Sequence, residues 1–270
     1  MASRYAFSID LDRCIGCQAC VVACRTGNEV ANGDAYITVS EEIRRKDNGF
    51  WGSFAHKRCF HCTEAPCVEV CPTGTLTKVN GLTAVDMAKC SACGYCTQAC
   101  PFHIPHVVDN HVSKCVGCLD QVRAGEEPWC ARTCPSNAIR FGEREVILAE
   151  AKAKVAKLRE RYPNAQVYGE TQLGGLGLLL VLLEVPGVYG LPEAPHASAT
   201  IQTWKTVVRP ASAGLTALAA GVLGLAFVVA RRQHAKEHVL AQGAPPAPAA
   251  AVVETPTATA QATETEENHD

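Results

Sequence analysis

Residues 90–101 read Cys-Ser-Ala-Cys-Gly-Tyr-Cys-Thr-Gln-Ala-Cys-Pro, a C-x2-C-x2-C-x3-C run closed by proline. The same spacing occurs at residues 14–24, Cys-Ile-Gly-Cys-Gln-Ala-Cys-Val-Val-Ala-Cys. Three thiolates separated by two residues each can sit on one tight loop and wrap three corners of a cube. The fourth thiolate lies beyond a short helical turn, so it reaches a neighbouring cube instead. Such runs hold 4Fe–4S clusters in pairs, with the fourth cysteine crossing to the other cluster.

All sixteen cysteines fall into four sets of four, with none left over. The remaining two sets are Cys59, Cys62, Cys67, Cys71 and Cys115, Cys118, Cys130, Cys134. A proline follows the last cysteine of the second, third and fourth sets, where it cannot extend a helix and turns the chain away. The sequence therefore predicts four 4Fe–4S clusters, and the sixteen cysteines are the predicted iron ligands.

Two other uses of cysteine have to be weighed. Structural zinc also uses C-x2-C pairs, and the fourth set, Cys115 to Cys134, could form a zinc site by itself. The C-x2-C-x2-C runs are poor tetrahedral frames because each supplies an odd number of ligands. A disulfide framework is not favoured, because a chain of 270 residues can bury a sizeable core and no apolar signal segment follows Met1.

Spacing alone leaves open which sets pair. Eighteen residues separate Cys71 from Cys90, a usual length for a compact two-cluster unit. This favours pairing the second set with the third, and the first with the fourth wrapped around them. Exchange of the fourth ligands then predicts four sites: first cluster Cys14, Cys17, Cys20, Cys134; second cluster Cys24, Cys115, Cys118, Cys130; third cluster Cys59, Cys62, Cys67, Cys100; fourth cluster Cys71, Cys90, Cys93, Cys96.

Basic and histidine side chains lie close to the cysteines. The residues that precede the first cysteine of each set are Arg13, Arg58, Lys89 and Lys114. A positive charge there could raise a cluster's reduction potential, or the side chains could simply be solvated or paired with carboxylates. The nearby histidines are His56, His61, His103, His106 and His111. Because every cysteine set is complete, we expect them to be hydrogen-bonding or surface residues, not ligands.

The rest of the chain predicts an α+β fold of two nested ferredoxin-like modules followed by a membrane helix. We place the four-cluster domain at 1–145, an extension packing on it at 146–203, the anchor at 204–235 and a disordered tail at 236–270. A helix over 142–161 should bury Leu148, Ala151, Val155 and Leu158, with Val146 and Ala149 on the same face. The apolar stretch 173–185 is short for a membrane span, so it predicts a buried strand or a re-entrant packing segment.

Ala211–Ala230 is an uncharged run of twenty residues that begins after Pro210 and ends at Arg231 and Arg232. At helical rise it matches the thickness of a bilayer core, and its small residues would let a partner helix approach closely. The basic residues after the run weakly favour a cytoplasmic C-terminus, which would place the cluster domain outside. The formal net charge of -2 and the lack of a basic stripe argue against a nucleic-acid partner.

The sequence resembles the iron–sulfur subunits of molybdenum and tungsten oxidoreductases, and within them the β subunit of respiratory formate dehydrogenase. The resemblance runs from about residue 4 to 235 and rests on Cys93-Gly94-Tyr95-Cys96, Cys100-Pro101-Phe102-His103-Ile104-Pro105, Gly125-Glu126-Glu127-Pro128, Tyr189-Gly190-Leu191-Pro192 and Trp204-Lys205. It departs at Arg25-Thr26-Gly27-Asn28, where the formate branch has Ser-Glu-Trp-Asn, and at His103, where it has Asp.

The resemblance implies the nested pairing and a non-catalytic role in electron transfer. Electrons would enter from a molybdopterin-bearing catalytic subunit and leave toward a cytochrome b or quinone-reactive membrane subunit, in the bacterial cytoplasmic membrane. The β subunit of that family has no export signal and crosses with its partner. The alternatives are the equivalent subunit of a hydrogenase or of a sulfur-compound or oxyanion reductase, which a co-purified partner would reveal. A redox sensor is disfavoured because the tail after the span is too short to form an output module.

Overall fold

The structure is a computed structural model that describes residues 4–46, 49–197, 203 and 207–242. The chain divides into two units, Met1–Arg209 and Pro210–Asp270. The strands are β1 Tyr5–Asp10, β2 Ile37–Lys46, β3 Gly49–Arg58, β4 Leu76–Val79, β5 Leu82–Val85, β6 His106–Val108, β7 His111–Ser113, β8 Ile139–Glu143, β9 Gln166–Tyr168 and β10 Leu178–Leu182. The helices are α1 Ala19–Gly27, α2 Pro66–Glu69, α3 Tyr95–Ala99, α4 Leu119–Arg123, α5 Trp129–Arg132, α6 Arg144–Leu158 and α7 Arg209–Gln242. This mixture confirms the predicted α+β class.

A four-stranded sheet joins the beginning of the chain to residues far along it. Its strand order is β8-β1-β10-β9, with β1 parallel to β10 and antiparallel to β8. Every residue of β10 is buried, as expected of an apolar strand with neighbours on both edges. The buried-strand interpretation of 173–185 is therefore confirmed. The extension after residue 145 contributes two strands to the sheet that contains β1, while the division into domains stays a prediction.

Helix α6 packs on this sheet through the predicted row, and Leu148, Ala151, Val155 and Leu158 are all buried. The prediction for Val146 and Ala149 was wrong, because both are exposed. At about 100° per residue, they lie roughly 160° and 100° around the helix from Leu148, away from the sheet.

The hairpin of β2 and β3 lies against the loop of the first cysteine set. The Phe54 ring occupies the space where a side chain on Gly16 would stand, and Gln18 Nε2 donates to the Val39 carbonyl at 3.0 Å. Asp47 and Asn48, between the two strands, lie outside the described residues. The hairpin therefore positions His56 and Arg58 beside the cysteine sets.

Helix α7 contains the predicted span Ala211–Ala230. Its segment Pro210–His234 has a mean hydropathy of 2.2 and no part of its apolar window is buried, so it is long and apolar enough to cross a membrane. The predicted disordered tail lies mostly outside the described residues, which end at 242, and Trp204 and Lys205 also lie outside them.

Candidate cluster-binding sites

The C-x2-C loops share one backbone feature. In all four sets the residue immediately before the second cysteine has a positive φ, at 66° for Gly16, 49° for His61, 54° for Ala92 and 72° for Gly117. A left-handed residue reverses the chain between the two thiols, so that both can face the same point. Glycine adopts this conformation without cost, while His61 and Ala92 carry local strain.

Two of the predicted ligand groups line surface cavities. One cavity is lined by Cys14, Cys17, Cys20 and Cys134, and the other by Cys71, Cys90, Cys93 and Cys96. Each cavity therefore combines three thiols of one set with the last thiol of another. Cys17 and Cys93 are exposed, so both cavities reach the surface of the unit.

The second predicted group is buried. The Cys24 thiol is flanked by those of Cys115, Cys118 and Cys130, and burial and these neighbours raise its pKa, although Arg58 opposes the rise. Cys24, Cys115, Cys118 and Cys130 are all buried. Here too the crossing cysteine stands with the first three thiols of its partner set.

The third predicted group is also buried. Burial raises the pKa of Cys67 to about 12, with further contributions from Cys59, Cys100 and Cys96. The Cys62 pKa is raised first by burial and then by Cys59, Cys67 and Cys100. Thiols with such pKa values lose their protons only to a strongly positive partner, so iron binding must release protons here.

The spacing of the thiols bears on the choice between a cluster and a single ion. Among the described residues no three Cys, His, Asp or Glu side chains converge closely enough to hold one metal ion. None of the sixteen cysteines, all of which the structure describes, forms a disulfide. Four thiols that share a site but are too far apart for one ion fit a cubane, whose iron atoms each take one thiolate. Neither the zinc nor the disulfide alternative fits this arrangement.

Hydrogen-bond donors point at the sulfur atoms. The Val112 amide lies 3.3 Å from Cys90 Sγ and the His61 amide 3.5 Å from Cys59 Sγ. Asn28 Nδ2 lies 3.6 Å from Cys24 Sγ and 3.7 Å from Cys118 Sγ. Donors around thiolates stabilise their negative charge, so the chain offers an environment suited to iron–sulfur clusters.

The four basic residues that precede the cysteine sets differ in their surroundings. Arg13 and Lys89 are exposed, and Lys89 pairs with Asp86 at 2.8 Å. Arg58 and Lys114 are each only 1% exposed. Arg13 and Lys89 therefore fit the simpler interpretation, in which such side chains are solvated or paired with carboxylates.

Sequence reasoning missed Lys78, which lies beside the third group. Its Nζ donates to the carbonyls of His61, Cys62 and Gly81, at 3.1, 2.7 and 3.0 Å. Burial lowers the pKa of Lys78 to about 8, although the thiolates of Cys59 and Cys62 act to raise it. No sequence signal marks this lysine, because β4 brings it to the cysteines from a distance along the chain.

The histidines behave largely as expected. His61 Nδ1 accepts from the Thr83 amide at 2.9 Å, and His103 and His111 are exposed. His106 Nε2 lies 2.7 Å from Asp34 Oδ1. His56 contacts a thiol directly, with Nε2 3.2 Å from Cys14 Sγ, and burial lowers its pKa to about 4. His56 is thus a neutral hydrogen-bonding neighbour of the first group.

Comparison with known proteins agrees with this geometry. Two families described as 4Fe-4S dicluster domains match residues 13–75 and 50–144. The chain is 35% identical to the formate dehydrogenase iron-sulfur subunit of Haemophilus influenzae over 246 residues, covering 82% of this chain and 77% of that protein. It is also 35% identical to the nitrate-inducible formate dehydrogenase iron-sulfur subunit of Escherichia coli K12 over 240 residues, which cover 80% of this chain and 82% of that protein.

The chain belongs to the formate dehydrogenase iron–sulfur subunit family. A shorter match, 38% identical over 148 residues, links it to the thiosulfate reductase electron transfer subunit of Salmonella typhi, covering 53% of this chain and 77% of that protein. As a formate dehydrogenase iron–sulfur family member it is a non-catalytic electron-transfer subunit of an oxidoreductase complex, and its cofactors are four 4Fe–4S clusters. The predicted family, cofactors and role are confirmed.

Proposed function

We propose that this chain carries electrons through four clusters held by the ligand sets predicted from the sequence. The observation that supports these sets best is the lining of the two surface cavities. Cys134 joins the first three thiols of set one, and Cys71 joins the first three thiols of set three. The chemistry supplied by the clusters is one-electron transfer. The chain's own part is to hold, space and shield them.

We propose that electrons pass through the clusters in the order first, second, third and fourth. The two clusters at its ends use the exposed thiols of Cys17 and Cys93, while the inner two have only buried thiols. Successive groups lie near one another, since the charge of Cys130 contributes to raising the pKa of Cys20 and that of Cys96 contributes to raising the pKa of Cys67. Arg58 lies between Cys59, its neighbour in the chain, and Cys115 of the second group. Electrons would thus enter at one exposed end and leave at the other.

We further propose formate as the electron source. Relatives named as formate dehydrogenase subunits match about four-fifths of this chain, whereas the thiosulfate reductase relative matches about half. The catalytic partner would then carry a molybdopterin-bound molybdenum or tungsten, and the electron acceptor would be a cytochrome b or quinone-reactive membrane subunit. Helix α7 would anchor the chain by a single pass, with the cluster domain on the outer face and the C-terminus in the cytoplasm.

The decisive experiment uses the complex purified in detergent with its partners. We expect at least about sixteen iron atoms per chain, because haem iron of a cytochrome b partner would add to the iron of the clusters. We also expect molybdenum or tungsten in the catalytic partner and formate-dependent reduction of quinone. Replacing Cys67 with Ala should remove the third cluster. Quinone reduction should then be lost, while formate oxidation by a small dye at the catalytic subunit continues.

Three outcomes would contradict the proposal. Fewer than about fourteen irons per chain would exclude four clusters. Nickel with hydrogen activity, or activity only with a sulfur compound, would replace formate dehydrogenase by one of the alternatives. Unchanged quinone reduction in Cys67→Ala, with the third cluster shown to be absent, would exclude a single path through the chain.

A further inference from the structure

Arg58 lies between two of the proposed cluster sites and donates to the sulfur atoms of two cysteines. It ends β3 and precedes Cys59, a proposed ligand of the third cluster. Its guanidinium nevertheless points into the other module, with Nη1 3.3 Å from Cys130 Sγ and Nη2 3.5 Å from Cys115 Sγ. Arg58 is therefore next in the chain to a ligand of the third cluster, but its side chain contacts two ligands of the second cluster.

The charge of Arg58 is enclosed. The side chain is 1% exposed and its Cζ stands 4.5 Å from the centre of the Phe7 ring. An arginine guanidinium keeps its proton even when it is buried, so the side chain brings a positive charge to the sulfur atoms of Cys130 and Cys115. A buried cation is stable only where a negative charge compensates it, and here cluster thiolates supply that charge.

The other basic residues do not share this arrangement. Lys114 is equally buried, but its Nζ donates to the carbonyls of Thr83 and Cys115 at 3.0 and 2.7 Å. Lys89 is an exposed partner of Asp86, where solvent screens its charge. Among these residues, only Arg58 donates directly to thiolate sulfur.

One-electron reduction adds negative charge to a cluster, and a fixed cation bonded to its ligands stabilises the reduced form more than the oxidised form. We propose that Arg58 is a positioning residue that raises the reduction potential of the second cluster. It also ties that cluster to the strand leading into the third. The inference rests on the proposed ligand set Cys24, Cys115, Cys118 and Cys130.

The test follows the potentials of all four clusters by redox titration with EPR detection in the whole complex. Cys24→Ser and Cys118→Ser first identify the signal of the second cluster, because both should alter the same signal. If they alter different signals, the ligand set is wrong and the inference falls with it. This outcome differs from an unchanged second-cluster potential in the Arg58 variant, which would contradict only the role of Arg58.

Arg58→Gln should then lower the potential of the second-cluster signal. At a fixed potential the ratio of reduced to oxidised cluster should fall at least tenfold, equivalent to about 59 mV for a one-electron couple. Lys89→Gln, the matched loss of an exposed charge, should leave all four potentials within error. An unchanged second-cluster potential, or a shift confined to the third cluster, would overturn the inference.

A measurement on the unsubstituted complex covers the case in which Arg58→Gln fails to assemble. With arginine labelled by ¹⁵N, hyperfine spectroscopy of the reduced second cluster should detect coupling to guanidinium nitrogen, since both Nη atoms contact its ligands. The third cluster should give no such coupling. Absence of coupling at the second cluster would refute the hydrogen bonds on which the inference depends.

Discussion

At the scale of single residues, the cluster sites depend on backbone geometry as much as on thiols. The left-handed residue before each second cysteine is glycine in the first and fourth sets, His61 in the second and Ala92 in the third. His61 and Ala92 show that the conformation is imposed by the loop and not only permitted by glycine. The space beside the loop then decides which side chains it tolerates.

Gly16→Ala should disturb the first cluster, because a Cβ there would lie 2.3 Å from the Phe54 ring in addition to the positive φ of 66°. Gly33→Ala is the control, since Gly33 has a φ of 82° but nothing within 4 Å of the added Cβ. We expect Gly16→Ala to lose about four irons per chain, one cluster, and Gly33→Ala to keep all of them. Equal iron contents in the two variants would show that the ring moves aside at little cost.

A buried carboxylate ties the inner module to the loop after α1. Asp34 is 8% exposed and accepts hydrogen bonds from His106 at 2.7 Å and from Ser113. Burial alone would raise its pKa, but the bonds from Ser113 and His106 outweigh burial and hold the pKa below its ordinary value. Ionised Asp34 therefore stabilises the fold above its unfolded-state pKa, and this contribution is lost as the pH falls through the lowered folded-state value.

Asp34→Asn should lower the free energy of unfolding at pH 7 by about 1–3 kcal/mol, because buried Ser113 and half-exposed His106 lose a charged acceptor. The denaturation midpoint by circular dichroism, at matched iron content, measures this loss. Asp120→Asn removes an exposed carboxylate paired with Arg123 and should have little effect. If the unsubstituted chain stayed more stable to denaturation than Asp34→Asn at pH values below the lowered pKa of Asp34, the expected pH dependence would be contradicted.

At the scale of elements, α6 covers one face of the sheet formed by β8, β1, β10 and β9. Neighbouring residues of the helix meet different environments, with Ile147 2% exposed and Val146 54% exposed. Ile147→Ala should cost about 2–5 kcal/mol through lost burial and the cavity left against Leu148 and Leu179. Val146→Ala should change stability by about 0.5 kcal/mol or less. Chemical denaturation of both variants checks the difference, and similar losses would place α6 in a different rotation.

What the sequence could predict depends on distance along the chain. The cysteine sets were found because each C-x2-C loop is local, and α6 was found from its period, although Val146 and Ala149 were placed on the wrong face. The parallel pairing of Phe7 with Leu178 joins residues too far apart for any periodic signal. The contacts of Arg58 and Lys78 were hidden for the same reason, because β3 brings Arg58 to the Cys130 thiol and β4 brings Lys78 to the Cys62 carbonyl, far from either residue along the chain.

At the scale of the whole molecule, the cysteines and the apolar helix lie in separate units. The cysteines all lie in Met1–Arg209, and the apolar helical segment lies in Pro210–Asp270. The two families of dicluster domain match overlapping, successive stretches, 13–75 and 50–144. In the fold, however, Cys134 returns to the first set across the whole of the inner module. Loss of the last set should therefore damage the first cluster as well as the second.

Ending the chain after residue 206 should remove membrane attachment but retain the clusters, because all sixteen cysteines precede that point. Co-expressed with its catalytic partner, which carries the export signal, but without the membrane subunit, the full chain should remain in membranes after a carbonate wash. The shortened chain should then be recovered in the soluble fraction and keep its clusters, about sixteen irons. Leu218→Arg tests the same helix at full length, since a charge near the middle of a span costs about 2.5–3.5 kcal/mol on insertion, whereas Leu218→Ala should remain attached. A shortened chain that stays in washed membranes would show that attachment does not depend on α7, and one that loses iron would show that the cluster unit needs the helix to fold.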